Sequence, residues 1–315
     1  MKTERKITTQ QKRKRFSLKH DDFELLSLQI PSIVFVFIFC YLPMVGLIIA
    51  FKDYKFDLGI LGSKWNGFDN FKFLFGSNTF YTLVRNTLGY NFASIILGMI
   101  VSAVLALMLE IMTSKISIKI FQSSMFLPTF LSWVVVSYIT YALFAVDTGM
   151  INKILEHFGM ETVSFYSEKK YWPIILIFFA VWKGFGQTTL IYYGSLLSID
   201  PAIVEAATLD GCGYIRRIIH ISIPHLKSTM IMMFILSIGG IFRSDFGMFF
   251  YLPKDSGMLY SVTDVLDTYI MRSLRMSANV GMSSAAGFLQ SIVGFVTVIT
   301  VNKIVKKIDS ESAIF

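Results

Sequence analysis

Nowhere in the 315 residues does Gly-x-x-x-x-Gly-Lys-Ser/Thr occur, so the chain has no loop that cradles nucleotide phosphates, and any ATP chemistry tied to it must come from a partner. His-Glu-x-x-His is missing as well. The four histidines, His20, His157, His220 and His225, are dispersed, so neither a catalytic residue nor a metal site is expected. Cysteine is scarce: Cys40 lies in an apolar run and Cys212 in a polar stretch, without metal-ligand or redox spacing, and no disulfide is implied. Charge is scarce too. Charged residues make up 16% of the chain against 54% hydrophobic, with a mean hydropathy of +0.60, which points away from a soluble domain and towards a polytopic membrane protein. The net charge of +8 could suit nucleic acid, but the basic residues gather beside apolar runs instead of interleaving with exposed aromatics, so nucleic-acid binding is excluded in favour of membrane orientation. No extended internal repeat is visible, which argues against a secondary transporter built from inverted halves.

What is present is a succession of long apolar segments. Residues 1–27 form a basic tail with Lys2, Arg5, Lys6, Lys12, Arg13, Lys14, Arg15 and Lys19 against Glu4 in its first 20 residues. The run from Leu28 to Phe51 is too long for a signal-peptide core and ends in Lys-Asp-Tyr-Lys, so it reads as a retained first span, with Pro31 near its start and Pro43 able to kink it. Further spans are expected at Arg85–Met112, at Phe121–Val146 with an interruption at Pro128, at Tyr171–Leu197, at Leu226–Phe242 and at Ala278–Val301. The fold class is therefore all-α with six transmembrane helices: a permease-like domain over 28–302 and a short tail over 303–315 carrying Lys303, Lys306 and Lys307. Six spans put both termini on one side. Lys and Arg are densest in the N-terminal tail, the 111–119 turn, the 198–227 loop and the C-terminal tail, which makes that side cytoplasmic. Between the first two spans, Gly-Phe-Asp-Asn-Phe at 67–71 suits a short interfacial helix with turns.

The loop at 198–224 is the most helix-like of the polar interruptions. Asp200 stands at an N-cap position, Pro201 suits the first helical position, and Gly211 can take the left-handed conformation that ends a helix, so a capped helix is expected from Pro201 to Asp210. Ile203, Ala206 and Ala207 share one face, and Glu205 has no partner nearby in sequence. Lys183 is the other unusual residue. It lies about 12 residues into the fourth span, roughly 18 Å deep at 1.5 Å per residue, flanked by Trp182 and Gly184, with Gln187 on the same helix face. An ionisable residue at that depth faces a cavity or a partner, or snorkels to an interface.

Glu205-Ala206-Ala207, then Asp210-Gly211, then Ile223-Pro224 after the next polar stretch resembles the EAA loop of the permease subunits of binding-protein-dependent ABC importers, with Ile223 where Leu is usual. The segments at 67–71, at 182–186 and Ser-Asp-Phe at 244–246 resemble the carbohydrate-uptake branch, especially its oligosaccharide permeases. The resemblance implies a type I importer permease whose helix at 201–210 docks on a separate ATPase, with Glu205, Ala206, Ala207, Asp210, Gly211, Ile223 and Pro224 as coupling residues. It implies a substrate pocket at Lys183, Gly184 and Gln187 on the fourth span and Ser237, Ile241 and Ser244 on the fifth, with a structural bond from Lys183 to a partner permease as the alternative. The implied partners are a second homologous permease, an ATPase dimer carrying ATP and Mg, an extracytoplasmic solute-binding protein, an oligosaccharide and the lipid bilayer. The chain itself would hold no cofactor and would not be an enzyme. Asp264, Asp267, Tyr269 and Arg272, in the loop before the sixth span, would contact the binding protein, guard the pore mouth or form a solvated face. Two alternatives remain: an ABC permease for a non-sugar solute, and a self-sufficient secondary transporter. In the second, the capped helix would have no evident work.

Overall fold

Long apolar runs cannot leave backbone groups unbonded in hydrocarbon, and helices satisfy them internally. The computed structural model describes residues 20–76, 78–277 and 279–308, and its order is almost wholly helical. Of the tails expected at 1–27 and 303–315, residues 1–19 and 309–315 lie outside the described residues, while 20–27 begin α1 and 303–308 end α15. The chain separates into two units, one ending at Ile48 and one beginning at Ile49. In the first, α1 (His20–Val36) runs into a π turn at Phe37–Tyr41 and then into a 3-10 helix at Leu42–Phe51, whose last three residues belong to the second. The wide turn falls just before Pro43, whose ring removes one backbone donor, so the helix changes winding there instead of breaking.

In the second unit, a two-residue ladder pairs β1 (Lys52–Asp53) with β2 (Lys64–Trp65) around α2 (Gly59–Gly62), and α3 (Asp69–Gly76) follows where a short helix is expected. Then come α4 (Asn78–Ile111), α5 (Lys115–Phe130), α6 (Trp133–Phe144), α7 (Met150–His157), α8 (Trp172–Leu196), α9 (Pro201–Leu209), α10 (Tyr214–Arg217), α11 (Ile223–Gly239), α12 (Phe246–Tyr251), α13 (Tyr260–Thr263), α14 (Leu266–Ser277) and α15 (Val280–Ile308). Among the described residues five helical segments are long and apolar enough to cross a membrane, and α5 with α6, bent by 98°, give a sixth when taken together as one broken span. The all-α, six-span class expected from the sequence is therefore the one observed.

Several boundaries differ from expectation, each for a physical reason. Helix α4 begins seven residues before Arg85, because Arg85 is paired: its Nη2 donates to Asn86 Oδ1 at 3.0 Å and to the Ser261 carbonyl at 3.1 Å. The third span breaks after Phe130 instead of at Pro128, and Ser132 then restarts the helix by accepting the Val135 N–H. The fifth span, expected from Leu226, begins earlier, with Pro224 in the first turn of α11. Helical winding is continuous from Tyr214 to Gly239, and a π turn at Ile218–Ser222 absorbs the donor that Pro224 lacks. The stretch at 243–277, expected as a loop, folds into α12, α13 and α14.

Of the three buried clusters among this unit's described residues, two lie against opposite ends of α4. Trp172, Leu176, Phe179, Phe249, Leu252 and Leu259 pack at one end, where Tyr90 Oη also donates to the Val262 carbonyl at 2.6 Å. Ala106, Tyr192, Leu196, Ile199 and Leu226 pack at the other, beside Val204 of α9. The bent pair traverses the distance between them: α5 starts four residues after α4 ends, and α6 finishes where Phe144 meets Phe165 and the Lys254 ammonium lies over the Tyr141 ring.

Candidate functional site

Helix α9 is built locally and left bare. Asp200 Oδ1 accepts the Ala202 N–H at 2.9 Å, Pro201 follows it, and Gly211 leaves the helix at φ +73° with open space where a Cβ would be. The Cys212 N–H bonds back to the Ala207 carbonyl at 2.9 Å, closing the last turn. None of the helix is buried. Glu205, Ala206 and Asp210 are exposed, and Ile203 and Leu209 are 51% and 88% exposed. Val204 alone leans on the core behind it. Ile223 and Pro224 lie beyond the turn, at the start of α11.

A cavity of about 220 Å³ opens between α4, α8 and α11, lined by Asn91, Ser94, Gly98, Gly184, Thr188 and Ser237 among others. Gly184 and Ser237 are the two expected pocket residues that line it. Gln187 is exposed, and Ile241 is buried with its carbonyl accepting from Asn91 Nδ2 at 2.7 Å. Ser244 has its N–H on Asp267 Oδ2 at 2.7 Å and its hydroxyl 3.2 Å from Asn91 Nδ2. Asn91, which gathers the end of the fifth span onto the cavity wall, carries no motif and is legible only once α4 and α11 are side by side.

Lys183 works at the elbow of the third span. Its Nζ donates to the Thr129 carbonyl at 2.9 Å, and Thr129 Oγ1 donates back to the Lys183 carbonyl at 3.1 Å. Thr129 is in the last turn of α5, where carbonyls lack helical partners and a cation is favoured. The same ammonium lies 5.3 Å from the Trp133 ring at the start of α6, and Trp133 Nε1 donates to Asp245 Oδ2, the cap of α12. One lysine thus holds both arms of the bend. Gly186, one turn on, lets α5 approach so closely that a Cβ would collide with the Met125 carbonyl.

The four residues expected in a loop before the sixth span are divided between the end of α13 and α14. Asp264, 6% exposed, receives Arg272 in two-point pairing at 2.8 and 3.1 Å, with Asp255 3.5 Å away and the Tyr260 ring under the guanidinium at 3.8 Å. A solvated loop face is therefore corrected to a buried ion-pair network. Burial alone would push the Arg272 pKa down, and the bond and charge of Asp264 outweigh it, holding the guanidinium above its usual range. Asp267 accepts from the Ser244 N–H and from Gln290 Nε2 at 3.3 Å, and burial pushes its carboxyl above the usual range. Tyr269 lines a cavity with Arg272 and Asp264.

At the other end of α4, Glu110 Oε1 accepts the Ser222 hydroxyl at 2.8 Å and lies 3.9 Å from Arg217 Nη2. Neither acidic nor basic residue could be singled out from the sequence, since each looks like an ordinary charge at the end of a span.

Residues 113–310 match the family model described as binding-protein-dependent transport system inner membrane component. Among curated proteins of Bacillus subtilis (strain 168), the chain is 35% identical to Protein LplB over 94% of its own length and 92% of the relative's. It is 33% identical to the polygalacturonan/rhamnogalacturonan transport system permease protein YteP over 97% and 95%. Among solved structures it resembles a chain of a bacterial ABC transporter involved in the import of the acidic polysaccharide alginate, with TM-score 0.83 and 30% identity over 92% of this chain and 97% of that one. With well over half of its length matched by the family model and near-complete relatives above 30% identity, the chain belongs to the inner membrane components of binding-protein-dependent transport systems.

Proposed function

We propose that the protein is one of two permease subunits of an ATP-driven importer of oligosaccharides in a bacterial or archaeal cytoplasmic membrane, with both termini and α9 on the cytoplasmic side. The observation that carries this reading is α9 itself. It is a capped, rigid helix whose apolar residues Ile203 and Leu209 and whose Glu205 all face outward, which is costly unless a partner covers them. The partner is a dimeric ATPase holding ATP and Mg, and a basic residue on it meets Glu205. A second homologous permease completes the pathway, and an extracytoplasmic solute-binding protein delivers the sugar. The relatives' names support the substrate class, since YteP is named for polygalacturonan and rhamnogalacturonan and the solved transporter for alginate. The polar lining of Asn91, Ser94, Thr188 and Ser237 suits hydroxyl-rich ligands.

Transport on this reading needs no covalent chemistry in this chain. Nucleotide binding closes the ATPase pair, α9 moves as a lever, and the spans shift between inward- and outward-facing populations. The test is ATP hydrolysis by the purified complex in response to loaded binding protein, with Glu205→Lys combined with Gly211→Val. Gly211 has room for the side chain, so its substitution acts by straining the left-handed turn, at about 1–2 kcal/mol. The double variant should insert and lose stimulated hydrolysis. Normal stimulation in it, or recovery of the wild-type chain as an active carrier without an ATPase, would sink the reading.

A further inference from the structure

Asn91, Ile95, Gly98, Ser102, Ala106 and Glu110 recur at intervals of three and four, so they run down one face of α4. The upper part of that face lines the cavity, Ser102 Oγ is bonded to the Phe185 carbonyl at 3.1 Å, and Ala106 packs against Tyr192, Leu196 and Leu226. Glu110 ends the stripe, about 16 Å along the helix from the cavity-lining Met99. Its two partners, Arg217 and Ser222, belong to the segment that leaves α9: Arg217 stands just before the π turn at Ile218–Ser222 and Ser222 ends it.

The site is incompletely bonded. The side chains of Arg217 and Glu110 are only 16% and 13% exposed, yet they meet at a single 3.9 Å contact. Glu110 Oε2 and Arg217 Nε are buried without a hydrogen-bond partner. A guanidinium and a carboxylate can pair at two points, and a closing of roughly 1 Å would bring this pair within hydrogen-bond distance. A π turn holds about one residue more per turn than α winding, so a slip to α winding there would rotate Arg217 against Ser222.

We infer that Glu110 is a positioning residue for coupling: the Arg217–Glu110 pair closes to two-point pairing in one state of the transport cycle and opens in the other, so that α9 drives α4 and the cavity wall through this contact. The inference rests on the reading of α9 as the ATPase-docking helix. Both partners stay within the bundle, and neither touches nucleotide or sugar.

The experiment uses the assembled complex of both permeases and the ATPase pair, with Glu110→Gln, Arg217→Gln and the double variant, each measured nucleotide-free and after trapping with ATP and vanadate. The readout is the melting temperature, and the interaction between the two sites is the shift of the double variant beyond the sum of the singles. The expected result is an interaction at least about threefold larger in one state than in the other, together with a loss of binding-protein-stimulated ATP hydrolysis in each single variant. Equal interactions in both states would overturn the inference, leaving a plain structural tie. So would failure of both Glu110→Gln and the charge-conserving Glu110→Asp to assemble. A wild-type complex that does not hydrolyse ATP at all would instead overturn the docking-helix reading beneath it.

Discussion

The two ends of α4 carry ion pairs of opposite quality. Near its N-terminus, Asn86 Nδ2 holds the Asp264 carbonyl at 2.9 Å, and Asp264 holds Arg272 by two short contacts over an aromatic ring. Near its C-terminus, Glu110 meets Arg217 once, at 3.9 Å, with the Tyr214 ring 5.2 Å from the guanidinium; Nε is unpaired in both Arg217 and Arg272, and only at this end does the carboxylate also keep a buried oxygen, Oε2, without a partner. Both pairs are largely removed from water, so dielectric does not explain the difference. What differs is commitment. The Asp264 end ties α4, α13 and α14 into one block, while the Glu110 end joins α4 to a short helical segment set between a left-handed glycine and a π turn. A rigid end and a slack end on one helix are what a lever needs.

The largest expected effect strikes the rigid end. Replacing Arg272 with Ala strands a buried carboxylate and should cost about 3–5 kcal/mol, read as the melting temperature and yield of the purified protein. Gly186→Ala, at the closest approach of α5 and α8, sets the scale between the ends. The clash is with backbone and cannot be relieved by a rotamer, so about 3 kcal/mol is expected, with the elbow displaced. Arg217→Ala should cost about 1–2 kcal/mol in the isolated chain, because one long contact to Glu110 and a 5.2 Å approach to the Tyr214 ring are lost while Glu110 keeps Ser222. If Arg217→Ala proved as damaging as Arg272→Ala, the contrast between the ends would fail. The smallest effect sharpens the rigid end. Since burial raises the folded-state pKa of Asp267, the folded chain holds that proton more tightly than the unfolded one. This contribution to stability is fully present below the ordinary value of 3.8 and is lost as pH rises through the folded pKa. Asp267→Asn should remove that slope from melting temperature against pH, and an unchanged slope would assign it to another group.

How much of this could be read from the chain depends on sequence separation. The cap of α9 was legible because Asp200, Pro201 and Gly211 act on their own neighbours, and the count of spans followed from apolar length. Lys183 was legible as an anomaly but not in its partner, because Thr129 is 54 residues away and offers a backbone carbonyl, which no residue type announces. Ser222 and Glu110 are 112 residues apart, and both look ordinary until the helices are assembled. The stretch at 243–277 was misread because its charges resemble those of a solvated loop, whereas Asp264 and Arg272 neutralise each other and let the segment fold inward. Gly186 could be seen but not its reason, since the constraint is the backbone of another helix.

The elbow between α5 and α6 has one more consequence, which concerns parity. Each crossing of the bilayer swaps the compartment that the next polar segment meets. A chain that turned back at Leu131 would deliver every later element, α9 included, to the opposite side. The helix proposed to dock on an ATPase would then be addressed to the side opposite the one proposed for it. Two short helices joined at 98° complete the third crossing, and a single lysine ammonium pins their corner.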